Sequence, residues 1–205
     1  MTTEVRFAES PEALTGLQVA LQRQLDTATR LPDWPFLAAS GFVTIYEYDR
    51  VLGGTFGIVL ESLAQVYGDE AATVVGLDPP AAYYQKEYNY FPGFQIDRDS
   101  MTEGYAVGLR HEPGGDSTGA MAYTTNVLGL TGSSGAWSVW GQRDWEIGLL
   151  LTPQAEGPWL QAPVAWFGRD VDLDSIRSPA GWGVPLGEQE RSKFWRNLRE
   201  RGSGP

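Results

Sequence analysis

The run from Ser134 to Leu151, SGAWSVWGQRDWEIGLLL, constrains this chain more than any other stretch, because its flanks follow the two-residue period of a strand and its middle does not. Trp137 and Val139, then Trp145, Ile147, Leu149 and Leu151, alternate with small or polar residues. Between them Gly141, Gln142, Arg143 and Asp144 carry turn chemistry, glycine for positive φ and aspartate for bonding its own backbone. The segment reads as a β-hairpin. A two- or four-residue loop would turn Trp137 and Val139 away from Ile147 and Leu149, whereas an odd-numbered loop puts all of them on one face. An odd loop is therefore expected, with one apolar face against a core.

The hairpin needs a domain around it, and 205 residues supply one, large enough to bury roughly 70% of the unfolded chain's surface without covalent staples. Cysteine is absent, which excludes disulfides, thiolate metal sites and a cysteine nucleophile, and suits a reducing compartment. The opening residues lack an apolar run of signal-peptide length, and no stretch of about 20 apolar residues follows. A soluble, cytoplasmic protein is expected, with no membrane contact and no cofactor. Residues 1–9 and 201–205 are expected to be flexible ends of a single domain spanning 1–205.

The formal charge is −11, and the basic side chains concentrate near the end, where Arg191, Lys193, Arg196, Arg199 and Arg201 outnumber Glu188, Glu190 and Glu200. A body this acidic repels phosphate backbones, so nucleic acid is not an expected partner, whereas a basic protein is. Acidity is also an ordinary device for solubility.

Along the chain, Ser10-Pro11-Glu12 starts an amphipathic helix expected over 11–28 with Leu14, Leu17, Leu21, Leu25 and Ala28 on its stripe. FVTIYEY, residues 42–48, reads as a strand. Phe56 to Tyr67 traces a helical face that Gly68 ends, and residues 73–77 form a buried strand. A short helix with Tyr84 and Tyr88 four apart follows Asp78-Pro79-Pro80. Ser100 and Glu103 have capping-box spacing for a helix over 101–110. His111 to Asp116 is a loop, and 120–130 leans to strand. After the hairpin come a proline-rich loop, a short edge-like strand at 164–167 and a final helix over 188–200 packing Phe194, Trp195 and Leu198. The sum is an α+β fold with four to seven short, mostly antiparallel strands and helices packed on one face.

No catalytic set stands out. His111 is the only histidine, and no G-x-S-x-G elbow accompanies it. Gly53-Gly54-Thr55 lacks the spacing of a phosphate loop and reads as a turn. Asp97, Asp99 and Glu103, or Asp170, Asp172 and Asp174 on alternate positions, could furnish a carboxylate pair of glycosidase type, but acids are also at home at a helix start or along a solvated edge. Eight Trp, nine Tyr and eight Phe suit a protein interface or sugar stacking as well as a core. The most interface-like cluster is the hairpin tip, Arg143-Asp144 flanked by Trp140 and Trp145. There the guanidinium is expected to stack on an indole and offer its fork outward, so that Arg143→Ala changes stability by no more than about 1 kcal/mol.

The run WSVWGQRDWEIGLL, with FVTIYEYD before it and a helix after it, resembles uncharacterised actinobacterial proteins. In size, acidity and lack of catalytic motifs the chain is similar to bacterial immunity proteins that neutralise toxin domains. The resemblance implies stoichiometric binding of a partner protein without turnover. The expected partner-binding residues are Trp140, Arg143, Asp144, Asp170, Asp172 and Asp174, with no metal site. The alternatives are a carboxylate-dependent enzyme and a passive binder of sugars or small ligands.

Overall fold

The computed structural model describes residues 4–168 and 186–204. In chain order these form β1 (Val5–Phe7), α1 (Pro11–Gln22), β2 (Phe42–Glu47), α2 (Tyr48–Val51), α3 (Phe56–Tyr67), β3 (Ala71–Asp78), α4 (Ala81–Tyr88), β4 (Gly93–Asp97), α5 (Met101–Leu109), α6 (Met121–Thr124), β5 (Val127–Gly132), β6 (Ser138–Gln142), β7 (Ile147–Thr152), β8 (Trp166–Phe167) and α7 (Glu188–Arg201). The strands make one antiparallel eight-stranded sheet in the order β1-β4-β3-β5-β6-β7-β2-β8. The α+β class on an antiparallel sheet is as expected, with one strand more than the upper expectation.

Alternation along the strands feeds two cores. Tyr46, Val74, Phe94, Leu128, Leu130, Val139 and Leu150 meet Phe56, Val59, Leu60 and Leu63 of α3 and Met101, Tyr105 and Leu109 of α5. Their neighbours Ile45, Val75, Val127, Trp140, Leu149 and Leu151 meet Leu14 and Leu21 of α1 and Phe194 and Leu198 of α7. Helices therefore cover both faces and not the single face expected: α3 and α5 pack on one, α1 and α7 on the other, because both faces of the strands are apolar. α3 and α5 touch at backbone distance: a Cβ on Gly57 would lie 2.6 Å from the Thr102 carbonyl oxygen.

This double coverage explains the hairpin's register. Trp140 pairs with Leu149 and Gln142 with Ile147, so the connection is the four residues Arg143 to Glu146, an even number. Glu146 closes it in the left-handed region at φ 56, its N–H donating to the Arg143 carbonyl at 2.8 Å. Trp140, Ile147 and Leu149 share one face, and Val139 lies on the other. The odd loop presumed a single apolar face; here both are buried, so hydrophobicity does not choose between the registers.

Other boundaries shift for local reasons. α1 ends at Gln22 rather than 28, because Asp26 accepts from the Ala28 N–H at 3.1 Å and the Thr29 hydroxyl at 2.7 Å, a turn that competes with the helix. Leu25 is buried nonetheless, in an antiparallel bridge to Phe36. Ser100 makes no cap for α5; its hydroxyl accepts from the Glu4 N–H at 3.1 Å. The stretch 120–130 splits into a helical turn and β5. Near the two ends, residues 5–7 pair with β4 and Ser203 bridges Phe42.

Candidate binding surface at the tyrosine end of the sheet

The pairings Glu47 with Ile147, Ile147 with Gln142, Gln142 with Val127 and Val127 with Asp78 draw one row across the end of five strands. Everything that leaves the sheet beyond this row lies at the same end: α2 after Glu47, the hairpin tip after Gln142, α6 before Val127 and α4 after Asp78. The tip and the tyrosine helix, 60 residues apart in sequence, thus become neighbours.

Their junction is Thr125, which is fully buried. Its carbonyl oxygen accepts from the Tyr48 hydroxyl at 2.8 Å and from Nη2 and Nε of Arg143 at 2.9 and 3.1 Å. Its hydroxyl lies 2.9 Å from that of Tyr84, which in turn accepts from the Thr124 hydroxyl at 3.2 Å. Arg143 Nη2 also reaches the Tyr123 carbonyl at 3.3 Å, and the guanidinium sits 5.1 Å from the centre of the Tyr48 ring. So Arg143 does stack on an aromatic, but on Tyr48 rather than an indole, and its fork faces the backbone of its own fold.

Around this junction lie Tyr83, Tyr84, Tyr88 and Tyr90, with neighbouring ring centres 5.4 to 6.4 Å apart. Rings in direct contact fill the space between them, so the group is a packed layer and not a cage open to a ligand. Tyr84 and Tyr90 are buried, whereas Tyr83 is 39% and Tyr123 63% exposed. Burial raises the hydroxyls of Tyr48, Tyr84 and Tyr90 above the ordinary tyrosine value, and the hydrogen bond with Tyr83 pushes Tyr88 up to about 12. Near neutral pH these phenols are therefore neutral hydrogen-bonding groups, not bases or nucleophiles.

His111 belongs to the same end. Its ring stacks on Phe7 of β1 at 3.8 Å and meets the Tyr90 ring edge-on at 6.0 Å. Burial lowers its pKa while the neighbouring Glu112 opposes that shift. Glu112 accepts from the Gly114 N–H at 3.0 Å, and its other carboxylate oxygen is buried without a protein partner. His111, at the start of the expected loop, is thus half-buried and an element of packing.

The other expected site residues fall in different places. Trp140 has no exposed surface; its Nε1 donates to Gln142 at 3.3 Å, and Arg30 lies 5.9 Å over its ring. It therefore presents nothing to a partner. Asp144 is exposed at the tip. Asp170, Asp172 and Asp174 lie outside the described residues. Of the carboxylates weighed for an enzyme, Asp97 pairs with Arg6 and accounts for itself, while Asp99 and Glu103 are exposed. Among the described residues no group of three or more His, Asp or Glu is placed to hold a metal ion, and no helix is long and apolar enough to cross a membrane. An open dent of about 420 Å³ runs along α7, lined by Glu188, Gln189, Ser192, Lys193 and Arg196. Those residues share one helix and converge on no common point.

The sequence did signal the tyrosine layer, through the density of Tyr83, Tyr84, Tyr88 and Tyr90 around a single short helix. What it could not signal was that Thr124 and Thr125, from the far side of the chain, would join them through Tyr84. Comparison of the chain with protein-family models, with characterised proteins and with solved structures finds no match.

Proposed function

We propose that this protein is a cytoplasmic protein-binding module of immunity-like mode, which neutralises or regulates a basic partner by stoichiometric association and without turnover. The observation that carries the reading is the charge balance at the tyrosine end. Arg50 is paired with Glu47 at 3.1 Å, Lys86 with Glu87 at 2.6 Å, and Arg143 is engaged by backbone carbonyls. Asp49, Asp78 and Asp116 add negative charge at the same end, on a chain whose total is already −11. Such a surface attracts a cationic partner at long range and speeds encounter.

The test is affinity capture from a lysate of the source cells at low and moderate salt, followed by titration of the purified partner in a calorimeter. A complex near one-to-one whose affinity falls as salt rises is the expected result. Capture of no protein even at low salt, or a partner consumed as substrate, would sink the reading.

A further inference from the structure

We propose that the segment from Gly157 to Phe167 is a latch, which swings off α3 and the outer edge of β2 as one piece while the rest of the sheet stays folded. It does not depend on which partner the protein binds. The latch holds itself together: Leu160 and Val164 donate their N–H groups to the Gly157 and Ala162 carbonyls at 3.1 and 2.7 Å, and the Trp166 indole N–H reaches back to the Leu160 carbonyl at 3.2 Å. To the rest of the chain the tie is slight. Among the described residues its backbone pairs are Ile45 with Phe167 and Tyr46 with Trp166, at one end of the latch. The adjoining length of the same edge is closed by the end of α7, where Gly41 and Val43 donate to the Arg201 and Gly202 carbonyls at 2.8 and 3.0 Å. When β8 leaves, β2 therefore keeps its bonds to β7 and to that helix end.

What holds the latch down is the Trp159 ring, 1% exposed and 5.8 Å from the ring of Tyr67 on α3, with Val164 buried in the same core. That anchor is imperfect. The indole N–H of Trp159, the hydroxyl of Tyr67 and the hydroxyl of Tyr46, the cross-strand neighbour of Trp166, are buried with no partner among the described residues. A buried N–H or O–H without a partner forfeits the bonds it makes to water, so closure loses part of what burial of the ring gains. Trp137 and Trp140 are buried to the same extent, yet their indoles donate to Asp69 and Gln142. The contrast marks Trp159 as the indole that leaves its place, by a local opening that lies below the free energy of global unfolding.

Gly157 supplies a lever on this anchor. Its backbone is extended, at φ 176, which any residue adopts, but an added Cβ would lie 2.0 Å from the Trp159 ring. Gly157→Ala thus pushes the ring outward without touching the sheet.

The chain has no cysteine, so one introduced at a buried position reports its own exposure. Val164→Cys in the latch and Val139→Cys in β6, both buried in the native chain, are labelled with a thiol reagent at low urea concentrations. Val164→Cys is expected to react at least about a hundredfold faster than Val139→Cys, and nearly independently of urea, because a local opening exposes little surface. In the Val164→Cys background, Gly157→Ala should raise the rate about tenfold. Tyr67→Phe, which keeps the ring and removes an unpartnered hydroxyl, should lower it about fivefold. Urea midpoints show whether each variant is folded, and hydrogen exchange of residues 157–167 against β6 in the unsubstituted chain makes the same comparison should a cysteine variant not fold. Equal labelling at the two positions, equal exchange of the two segments, or a rate that neither Gly157→Ala nor Tyr67→Phe changes overturns the latch.

Discussion

Trp137 donates its indole N–H to the carboxylate of Asp69 at 2.7 Å, and both side chains are withdrawn from solvent. Asp69 follows Gly68, whose φ of 71 ends α3, and it also accepts from the Ser134 N–H at 2.5 Å. A Cβ on Gly132 would lie 2.4 Å from one carboxylate oxygen. One buried anion thus gathers the turn between β5 and β6 and fastens it to the end of α3. Hydrogen bonds to a charged acceptor contribute about 1.5–3 kcal/mol each. Trp137→Phe, which keeps an aromatic ring and removes the donor, is expected to cost about that much in urea denaturation. Trp137→Ala should cost about 3–5 kcal/mol as a core truncation. A double-mutant cycle of Trp137→Phe with Asp69→Asn showing no coupling would refute the pairing's role.

Arg143 now carries a different expectation from the one its place in the turn suggested. It fixes the Thr125 carbonyl and covers Tyr48, so Arg143→Ala should destabilise by about 1–3 kcal/mol, beyond an ordinary surface change. Arg143→Lys keeps the charge but not the fork and should recover only part of the loss. Urea midpoints for the two variants decide the matter; an alanine variant as stable as wild type would show that the carbonyl contacts contribute nothing.

A pair of glycines gives opposite predictions for the same substitution. Gly16 in α1 has nothing within 4 Å of an added Cβ, so Gly16→Ala should stabilise by about 0.5–1 kcal/mol. Gly57→Ala would press on the Thr102 backbone of α5 and should cost about 1–3 kcal/mol or more. Thermal melts of both proteins are sufficient, and a tolerated Gly57→Ala would show that α3 and α5 can separate without loss.

His111 predicts a pH dependence. Its ordinary value is 6.5 and the folded value is lower. The unfolded chain therefore takes up the proton first, so this residue's stabilisation is present above pH 6.5 and is lost as pH falls from there toward the folded value. The groups facing it are Phe7, Tyr90 and Glu112. Glu12, Asp26 and Asp116 are lowered too, but their ordinary values of 4.5, 3.8 and 3.8 put their losses in a more acidic window. His111→Phe keeps a ring on Phe7 and removes the upper step. Denaturation midpoints between pH 7.5 and 5 test this, and an unchanged profile in the variant would assign the step to other groups.

What could be read from the sequence was whatever is decided within a few residues. The Ser10 cap with Pro11, the Gly68 terminus and the β-branched run of β2 each depend on local chemistry, and each lies where expected. What could not be read depends on partners far along the chain. Three-residue β1 is a strand only because β4 offers it an edge, and Met121 to Thr124 turns helical while the Thr124 hydroxyl is taken by Tyr84 and the Tyr123 carbonyl by Arg143. The candidate surface illustrates the same divide. Its tyrosines are conspicuous in the sequence, yet their junction with Thr124, Thr125 and Arg143 follows from strand pairing, and the buried Trp140 was misplaced by the same two-sided burial that hid the hairpin register.

The place of β2 in the sheet has a consequence for how the chain acquires its fold. β2 lies between β7 and β8, and the bond from the Thr152 hydroxyl to the Phe42 carbonyl closes a loop of 110 residues. During synthesis from the N-terminus, the run Phe42-Val43-Thr44-Ile45-Tyr46 emerges long before either neighbour exists. At roughly 5–20 residues per second it waits several seconds with its backbone and both apolar faces unpaired. β3, β4, β5 and β6 can meanwhile pair among themselves, so β7 completes a platform onto which β2 closes late. That interval is when the nascent chain is most open to association with another copy through its unpaired edge, and binding of a chaperone to residues 42–46 would protect it most.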